Sequence, residues 1–122
     1  MTSVVWDFSN DGPRKACEQG ATFSWVFTLK DNNGVVVDLT GYTARMHVRV
    51  TAATASTIIE LTTANSRIVL GGTDGTITLA LTATETAALT AGSYVYDLEL
   101  LSGSSVQRLL EGDFVVTSEV TK

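Results

Sequence analysis

Cysteine, proline and basic residues are scarce in this sequence of 122 residues. The single cysteine, Cys17, excludes a disulfide within the chain and cannot build a thiolate metal site. One proline against ten glycines indicates that the turns depend on residues that tolerate a positive φ. Eight Lys and Arg and a formal net charge of -5 disfavour nucleic acid and anionic membranes as partners, because phosphate recognition needs concentrated positive charge.

Long apolar runs are also missing. No stretch approaches the roughly 20 residues that cross a bilayer, and the first residues lack the basic-then-apolar order of a secretory signal. We therefore expect a chain that is made and kept soluble, without membrane insertion.

What the sequence does contain is a series of short segments that alternate between apolar and polar residues. The clearest alternation runs over residues 22–30, 42–51, 76–81 and 93–101, and strict alternation is typical of half-buried strands. In the second segment Tyr42, Ala44, Met46, Val48 and Val50 are predicted to face inward. Shorter strands are predicted at 58–61, 67–70, 106–110 and 113–120.

Turn and capping signals separate these segments. Residues 31–34 favour a left-handed turn, and with the following Val35, Val36 and Val37 they predict a hairpin. Thr82 and Glu85 have the spacing of a capping box, which predicts one short helical turn near residues 83–90. Residues 1–10 are read as an edge strand or a loosely held arm.

Seven to nine short antiparallel strands, spaced roughly ten residues apart, predict an all-β sandwich, because a parallel sheet would need long crossover helices. The length fits one domain over residues 1–122. No internal repeat or linker divides it.

The strongest polar constellation is the outward face of the second long strand, which carries Arg45, His47 and Arg49. These side chains could form an anion site, or they could meet Asp97 and Glu99 across a sheet, as opposite charges commonly do. The second interpretation predicts that strands 42–51 and 93–101 are neighbours. A zinc site would need ligands that the chain lacks, and the carboxylates sit beside arginines, unlike a glycosidase pair. We expect no catalytic, cofactor-binding or metal site.

The aromatic residues offer an alternative function. Trp6, Trp25, Tyr42, Tyr94 and Tyr96 could form a sugar-stacking platform, which would make the chain a carbohydrate-binding module for host glycans. Trp25, Tyr94 and Tyr96 lie on predicted inward faces, which favours core packing, and only Trp6 is expected to be exposed.

One motif resembles immunoglobulin-like domains. Residues Gly92-Ser93-Tyr94-Val95-Tyr96, after a short helical turn, resemble the entry to strand F, where a tyrosine corner ties the turn to the strand. Tyr94 takes the corner position, and Tyr96 stands where antibody domains have cysteine. The resemblance implies an immunoglobulin-like sandwich without the inter-sheet disulfide.

The order of motifs also resembles a family of small bacteriophage virion domains, which includes the N-terminal domain of baseplate upper proteins and related tail and fibre proteins. The matching pieces are Gly20-Ala21-Thr22-Phe23, Asp38-Leu39-Thr40-Gly41-Tyr42-Thr43-Ala44, Gly75-Thr76-Ile77-Thr78-Leu79, Gly92-Ser93-Tyr94-Val95-Tyr96-Asp97-Leu98 and Glu111-Gly112-Asp113-Phe114-Val115-Val116. Larger members carry a further C-terminal region that this sequence does not include, so their adaptor role is not carried over.

This resemblance implies a non-enzymatic structural part of a phage tail, baseplate or fibre, made in the host cytoplasm and built into the virion. Its partners would be other virion proteins, in several copies or as a homo-oligomer; capsid decoration differs only in location. Open strand edges can accept a neighbour's strand, and the expected assembly contacts are Val4, Val5, Trp6, Phe8, Val35, Val36 and Val37. Removal of residues 1–10 is expected to abolish assembly and to spare the fold.

Overall fold

Two β-sheets pack face to face in the computed structural model, which describes residues 4–5, 8, 16–31, 33–53 and 57–120. Within these residues the strands are β1 (Val4–Val5), β2 (Cys17–Glu18), β3 (Phe23–Thr28), β4 (Thr43–Arg49), β5 (Ile59–Thr62), β6 (Ile68–Leu70), β7 (Thr76–Leu81), β8 (Gly92–Ser102) and β9 (Ser105–Thr117). A 3-10 turn covers Gly72–Asp74, and helix α1 covers Ala83–Ala87.

The strand order is that of an immunoglobulin-like sandwich. The larger sheet runs β1-β9-β8-β4-β5, with β2 also on β9, and the smaller sheet runs β3-β7-β6. Strands β3, β7 and β6 thus stand where such domains have B, E and D, while β9, β8, β4 and β5 match G, F, C and C′. The predicted all-β sandwich is confirmed. The sequence predicted antiparallel strands throughout. β1 and β2 differ, because they pair with β9 in parallel, whereas the other paired strands are antiparallel.

Alternating side chains build the core, as the sequence pattern predicts. On β4 the buried residues are Ala44, Met46 and Val48, and they lie opposite buried residues of β8 in register. β7 and β8 alternate in the same way. A one-residue slip would turn every one of these side chains to solvent, so burial fixes the register.

Helix α1 begins with the predicted capping box. The main-chain N–H of Glu85 donates to Thr82 Oγ1 at 3.1 Å, and that of Thr82 donates to Glu85 Oε1 at 2.8 Å. The helix covers five residues, and its C-cap, Ala88, donates to the carbonyl of Glu85 at 3.3 Å. The next residue, Leu89, is buried in the core. The short helix therefore leads the chain into the turn that precedes β8.

The tyrosine corner is formed. The Tyr94 hydroxyl donates to the carbonyl oxygen of Thr90 at 2.6 Å, which ties β8 to the turn before it. Tyr96, 4% exposed, takes the cysteine position, and its ring lies 5.3 Å from the Phe8 ring, which lies 5.6 Å from the Phe23 ring on β3 of the smaller sheet. Aromatic packing therefore occupies the place of the inter-sheet disulfide.

Two further sequence predictions about the strands differ from the structure. The predicted strands at 106–110 and 113–120 are one strand, β9, because Gly112 pairs with Tyr96 within the ladder instead of turning the chain. A bulge opposite Leu98/Glu99 shifts the register of β9 by one residue. Val50, predicted inward, is 51% exposed because β4 ends one residue before it.

Candidate docking surfaces

The outer face of the larger sheet is a charged, open cleft of about 740 Å³. Cross-strand pairing arranges its side chains in rows: Arg45 lies opposite Glu99, and His47 lies opposite Asp97. The predicted adjacency of strands 42–51 and 93–101 is confirmed. Arg45 Nε and Glu99 Oε1 are 2.7 Å apart, so the predicted cross-strand contact is confirmed for this pair, whereas His47 contacts Glu60 and Asp97 contacts Arg108.

The acidic residues in this cleft lie close to arginine. Asp97 stands directly opposite Glu111, an arrangement of like charges that destabilises a sheet unless a cation intervenes. Arg108 supplies that cation, since its guanidinium lies 3.5 Å from Asp97 Oδ2 and 3.5 Å from Glu111 Oε2. A glycosidase acid requires an apolar pocket that stabilises its neutral form. Asp97 and Glu111 do not lie in such a pocket, because they lie beside the charged guanidinium of Arg108.

His47 lies between Arg49 and Glu60 on the same face. Arg49 Nη2 is 3.0 Å from Nδ1, and Glu60 Oε2 is 2.7 Å from Nε2. An arginine can only donate, so Nδ1 accepts and Nε2–H donates to the carboxylate. Both ring nitrogens are thus engaged in structural contacts. Among the residues described, no cluster of His, Cys, Asp and Glu has the grouping that would hold a metal ion.

Cys17 has the environment of a structural thiol. The side chain is fully buried against β9, and burial, with a smaller contribution from Glu18, raises the pKa of the thiol to about 11. The thiolate is the reactive form of cysteine, so this residue is poorly suited to nucleophilic chemistry or metal binding.

The outer face of the smaller sheet has a contrasting chemistry, because its three strands place no charged side chain on it. A row across the sheet runs Val26–Thr78–Val69, and both valines are 53% exposed. The remaining outward positions of β3 and β7 are small or hydroxylated: Ser24, Thr28, Thr76 and Ala80. We call this surface the uncharged face.

The uncharged face was not predicted from the sequence, although the signal was present. In residues 22–30 the outward positions 24, 26 and 28 carry no charge and Lys30, at the end of the segment, is the one charged outward residue, whereas the outward positions of strand 42–51 carry three basic side chains. A comparison of the two segments therefore predicts one charged outer face, on strand 42–51, and one outer face with little charge, on strand 22–30. Residue Val69 could not be found this way, because only the strand order places it in the row.

The N-terminal segment, predicted as an assembly contact, is docked on its own chain. Val4 pairs with Leu110 and Val5 with Glu111 of β9. Phe8 continues the line, since its N–H donates to the Asp113 carbonyl at 2.8 Å and its carbonyl accepts from Val115 N at 2.9 Å. Trp6 lies outside the described residues.

Phe8 is a core residue, which corrects the expectation that residues 1–10 are dispensable for folding. Its ring is 1% exposed and lies 5.3–6.4 Å from the rings of Phe23, Trp25, Tyr96 and Phe114. These edge-on and tilted geometries are those that aromatic pairs prefer. In this arrangement the Phe8 side chain is not available to a partner.

The Val35–Val37 segment is partly accessible. Val35 is 60% and Val36 38% exposed, while Val37 packs against the core. The predicted hairpin exists only as a single bridge between Lys30 and Val36. Asp31 Oδ1 caps its turn by accepting from the N–H groups of Asn33 and Val35 at 2.9 and 3.0 Å.

The described aromatic rings do not form a sugar-stacking platform. Tyr94 and Tyr96 are buried, and Trp25 and Tyr42 pack against the same core from partly buried positions. A carbohydrate module of the predicted kind requires at least two exposed rings on one face. The described part of the chain packs these four rings against the core.

The fold and these surfaces together define an immunoglobulin-like β-sandwich with one charged and one uncharged outer face. The sequence matches no protein-family model and no curated protein. No helix in the described ranges has the length and hydrophobicity to span a bilayer.

Proposed function

We propose that this chain is a non-enzymatic structural module of a bacteriophage particle, part of its tail, baseplate or fibre. It acts there through contacts with other virion proteins and is present in several copies, after synthesis in the host cytoplasm. The proposal is supported by the motif order that resembles phage virion domains and by the surfaces described above.

The observation that carries the docking role is the uncharged face. Interface cores are depleted in charged residues relative to the rest of a protein surface, and this chain of net charge -5 keeps charge off one complete sheet face. Val26, Thr78 and Val69 form its centre. Their β-branched side chains lose little rotamer freedom when a partner covers them.

The size of the uncharged face indicates one contact among several. The strands lie about 4.8 Å apart, and with two strands of six residues and one of three they cover roughly 240 Å². A stable pairwise interface buries about 800 Å² per partner. A module held by this face alone would bind weakly, whereas a module packed between several neighbours in a particle would be held firmly.

The absence of catalysis is supported by the state of the reactive groups. His47 is held between Arg49 and Glu60, and Cys17 is buried with a raised pKa. Arg108 lies between the carboxylates of Asp97 and Glu111. Each of these contacts stabilises the folded sheet, and none prepares a nucleophile or a proton donor for a substrate.

Competition for entry into particles tests this function. A tagged chain with Val26→Lys and Val69→Lys is produced during infection alongside the untagged wild-type chain, and purified particles are analysed for both. The matched control is Val106→Lys, because Val106 is 51% exposed but lies on β9, away from the uncharged face.

We expect the Val106→Lys chain to enter particles as the tagged wild-type chain does and the double variant to be reduced at least tenfold. Equal melting temperatures of the purified chains would show that the loss is one of docking. Normal incorporation of the double variant would overturn the role of the uncharged face.

A further inference from the structure

The outer edge of β3 carries main-chain groups that point away from its own sheet. In an antiparallel ladder, alternate residues direct both their N–H and their C=O group to the same neighbouring strand. Leu29, which continues the register of β3 on β7, donates its N–H to the Gly75 carbonyl at 2.8 Å. The odd-numbered residues of β3 therefore face β7, and Ser24, Val26 and Thr28 direct their main-chain groups outward.

These outward groups are unpaired. Among the residues described, none of them forms a hydrogen bond, and the side chains of Ser24, Val26 and Thr28 are exposed. The hairpin after β3 does not cover this edge, because Val37 donates to the carbonyl of Leu29 on the β7 side. β3 thus offers three residues of an open ladder to a partner strand.

The other sheet edges in the described ranges are closed or short. On β5, the N–H of Thr63 donates to the Ala44 carbonyl, so Glu60 and Thr62 direct their main-chain groups outward. Asn65 covers them: its Oδ1 accepts from the Thr62 N–H at 2.9 Å, and its Nδ2 donates to the Glu60 carbonyl at 3.0 Å. β1, β2 and β6 have two or three residues each, and short edges resist unwanted pairing. β3 has six uncharged residues and neither protection.

The outward residues of β3 are complementary to a second copy of themselves. When two β3 strands pair antiparallel about a twofold axis, a register centred on Val26 uses all three outward residues of each copy. Val26 then lies opposite its own copy, and Ser24 lies opposite Thr28 on both sides of the axis. A Ser–Thr pair is a favourable cross-strand neighbour, and the absence of charge avoids the repulsion between like charges.

The same pairing enlarges the uncharged face. Directly opposite residues of an antiparallel pair lie on one face of the sheet, so the rows Val26–Thr78–Val69 of two copies meet at Val26. The joined sheet has six strands and roughly 480 Å² of uncharged face, twice that of one copy. This area comes closer to the about 800 Å² that a stable interface buries per partner.

We propose that two copies of this chain associate through their β3 edges, antiparallel about a twofold axis at Val26, to form one six-stranded sheet. The pairing deepens the proposed function and rests on it only in that several copies meet in one assembly. The partner is a second copy because the outward residues are complementary to themselves, as an isologous contact requires. Main-chain hydrogen bonds hold the two strands together, as in other cases of strand addition.

Oxidation of a cysteine variant at the axis tests the pairing. In Val26→Cys the two introduced thiols face each other, since the Cα atoms of a hydrogen-bonded pair lie about 5.5 Å apart, within the range of a disulfide. The matched control is Val69→Cys. Both valines are 53% exposed on the same face, but the two copies of Val69 would lie five strand spacings, about 24 Å, apart.

We expect a covalent homodimer of twice 12.9 kDa from Val26→Cys, at least about tenfold more than from Val69→Cys. Cys17 is kept because it is buried, and the wild-type chain, oxidised in parallel, should give no dimer. Equal yields from the two variants, or no dimer from Val26→Cys, would overturn the pairing.

Hydrogen exchange of the wild-type chain gives a second readout that needs no substitution. The N–H of Val26 should exchange more slowly as the protein concentration rises, because pairing protects it. The control is the N–H of Leu70 on β6, which points out of the opposite edge because Gly71 donates to Thr76 of β7. Exchange at Val26 that does not change with concentration would overturn the pairing.

Val69→Lys separates the pairing from the proposed function. The substitution places charge on the uncharged face and leaves the β3 edge intact, so protection of Val26 should remain while entry into particles falls. A chain that pairs but never enters a particle would retain the pairing and contradict the function. Entry into particles by a chain whose Val26 N–H is never protected would do the reverse.

Discussion

Replacement of Phe8 by alanine tests whether the N-terminal segment belongs to the core. The ring is 1% exposed and lies within 6.4 Å, centroid to centroid, of four other rings. Alanine would remove the ring and leave a cavity that the two sheets can close only in part. We therefore expect a large loss of stability.

The magnitude follows from core truncations in general, in which Phe→Ala costs about 3–5 kcal/mol. A domain of this size unfolds with an entropy of about 2.1 cal/mol/K per residue, so each kcal/mol shifts the melting temperature by about 4 °C. The expected decrease is thus about 12–20 °C. Urea unfolding followed by circular dichroism gives the free energy, and a thermal scan gives the temperature.

Two controls make the result specific. Phe8→Leu keeps most of the apolar volume and should cost less than about 1.5 kcal/mol. Val36→Ala removes a side chain that is 38% exposed and should change stability by less than about 0.5 kcal/mol. If Phe8→Ala behaved like Val36→Ala, the segment would be a loose arm, and its place in the core would be refuted.

Three further predictions concern the corner, the charged face and the helix cap. Tyr94→Phe removes the hydrogen bond to the carbonyl four residues earlier and should cost about 1–2 kcal/mol in urea unfolding; an unchanged free energy would contradict the corner. Glu99→Lys places like charge opposite Arg45 and should lower the melting temperature by about 4 °C, since an exposed pair contributes at most about 1 kcal/mol; no change would count against their pairing. Hydrogen bonds from the capping box and from Arg67 hold the pKa of Glu85 below its ordinary value of 4.5. The ionised group therefore stabilises the fold above pH 4.5, and this contribution is lost as the pH falls through the lowered pKa. Glu85→Gln should flatten the stability profile in that acid range, and a profile identical to the wild type would refute the role of the cap.

The sequence predicted the parts of the fold that depend on local chemistry. Alternation identified β3, β4, β7 and β8, and complementary charges predicted that β4 and β8 are neighbours. The capping box at Thr82 was visible because its hydrogen bonds join residues three apart. Tyr94 was identified through a resemblance, and its corner is formed.

The sequence failed where non-local pairing decided the outcome. Gly112 follows a polar residue and suggested a break, yet it continues β9 because β8 offers a complete ladder opposite it. Phe8 sits in a segment flanked by polar turn residues, and only its distant partner Phe114 makes it core.

The candidate surfaces also divide into one that local sequence predicts and one that depends on non-local strand pairing. The charged face was predictable, since its side chains alternate along single strands. The uncharged face needs β3, β7 and β6 side by side before Val26 and Val69 become one surface. Strand order, which the sequence pattern did not specify, is therefore what creates the proposed docking site.

Quantitative mass spectrometry of purified particles tests the central claim most directly. The account predicts that peptides of this chain are present at several copies per particle and remain with the tail fraction when heads and tails are separated. Particles that lack the chain, with all of it in the soluble fraction of the lysate, would contradict the account.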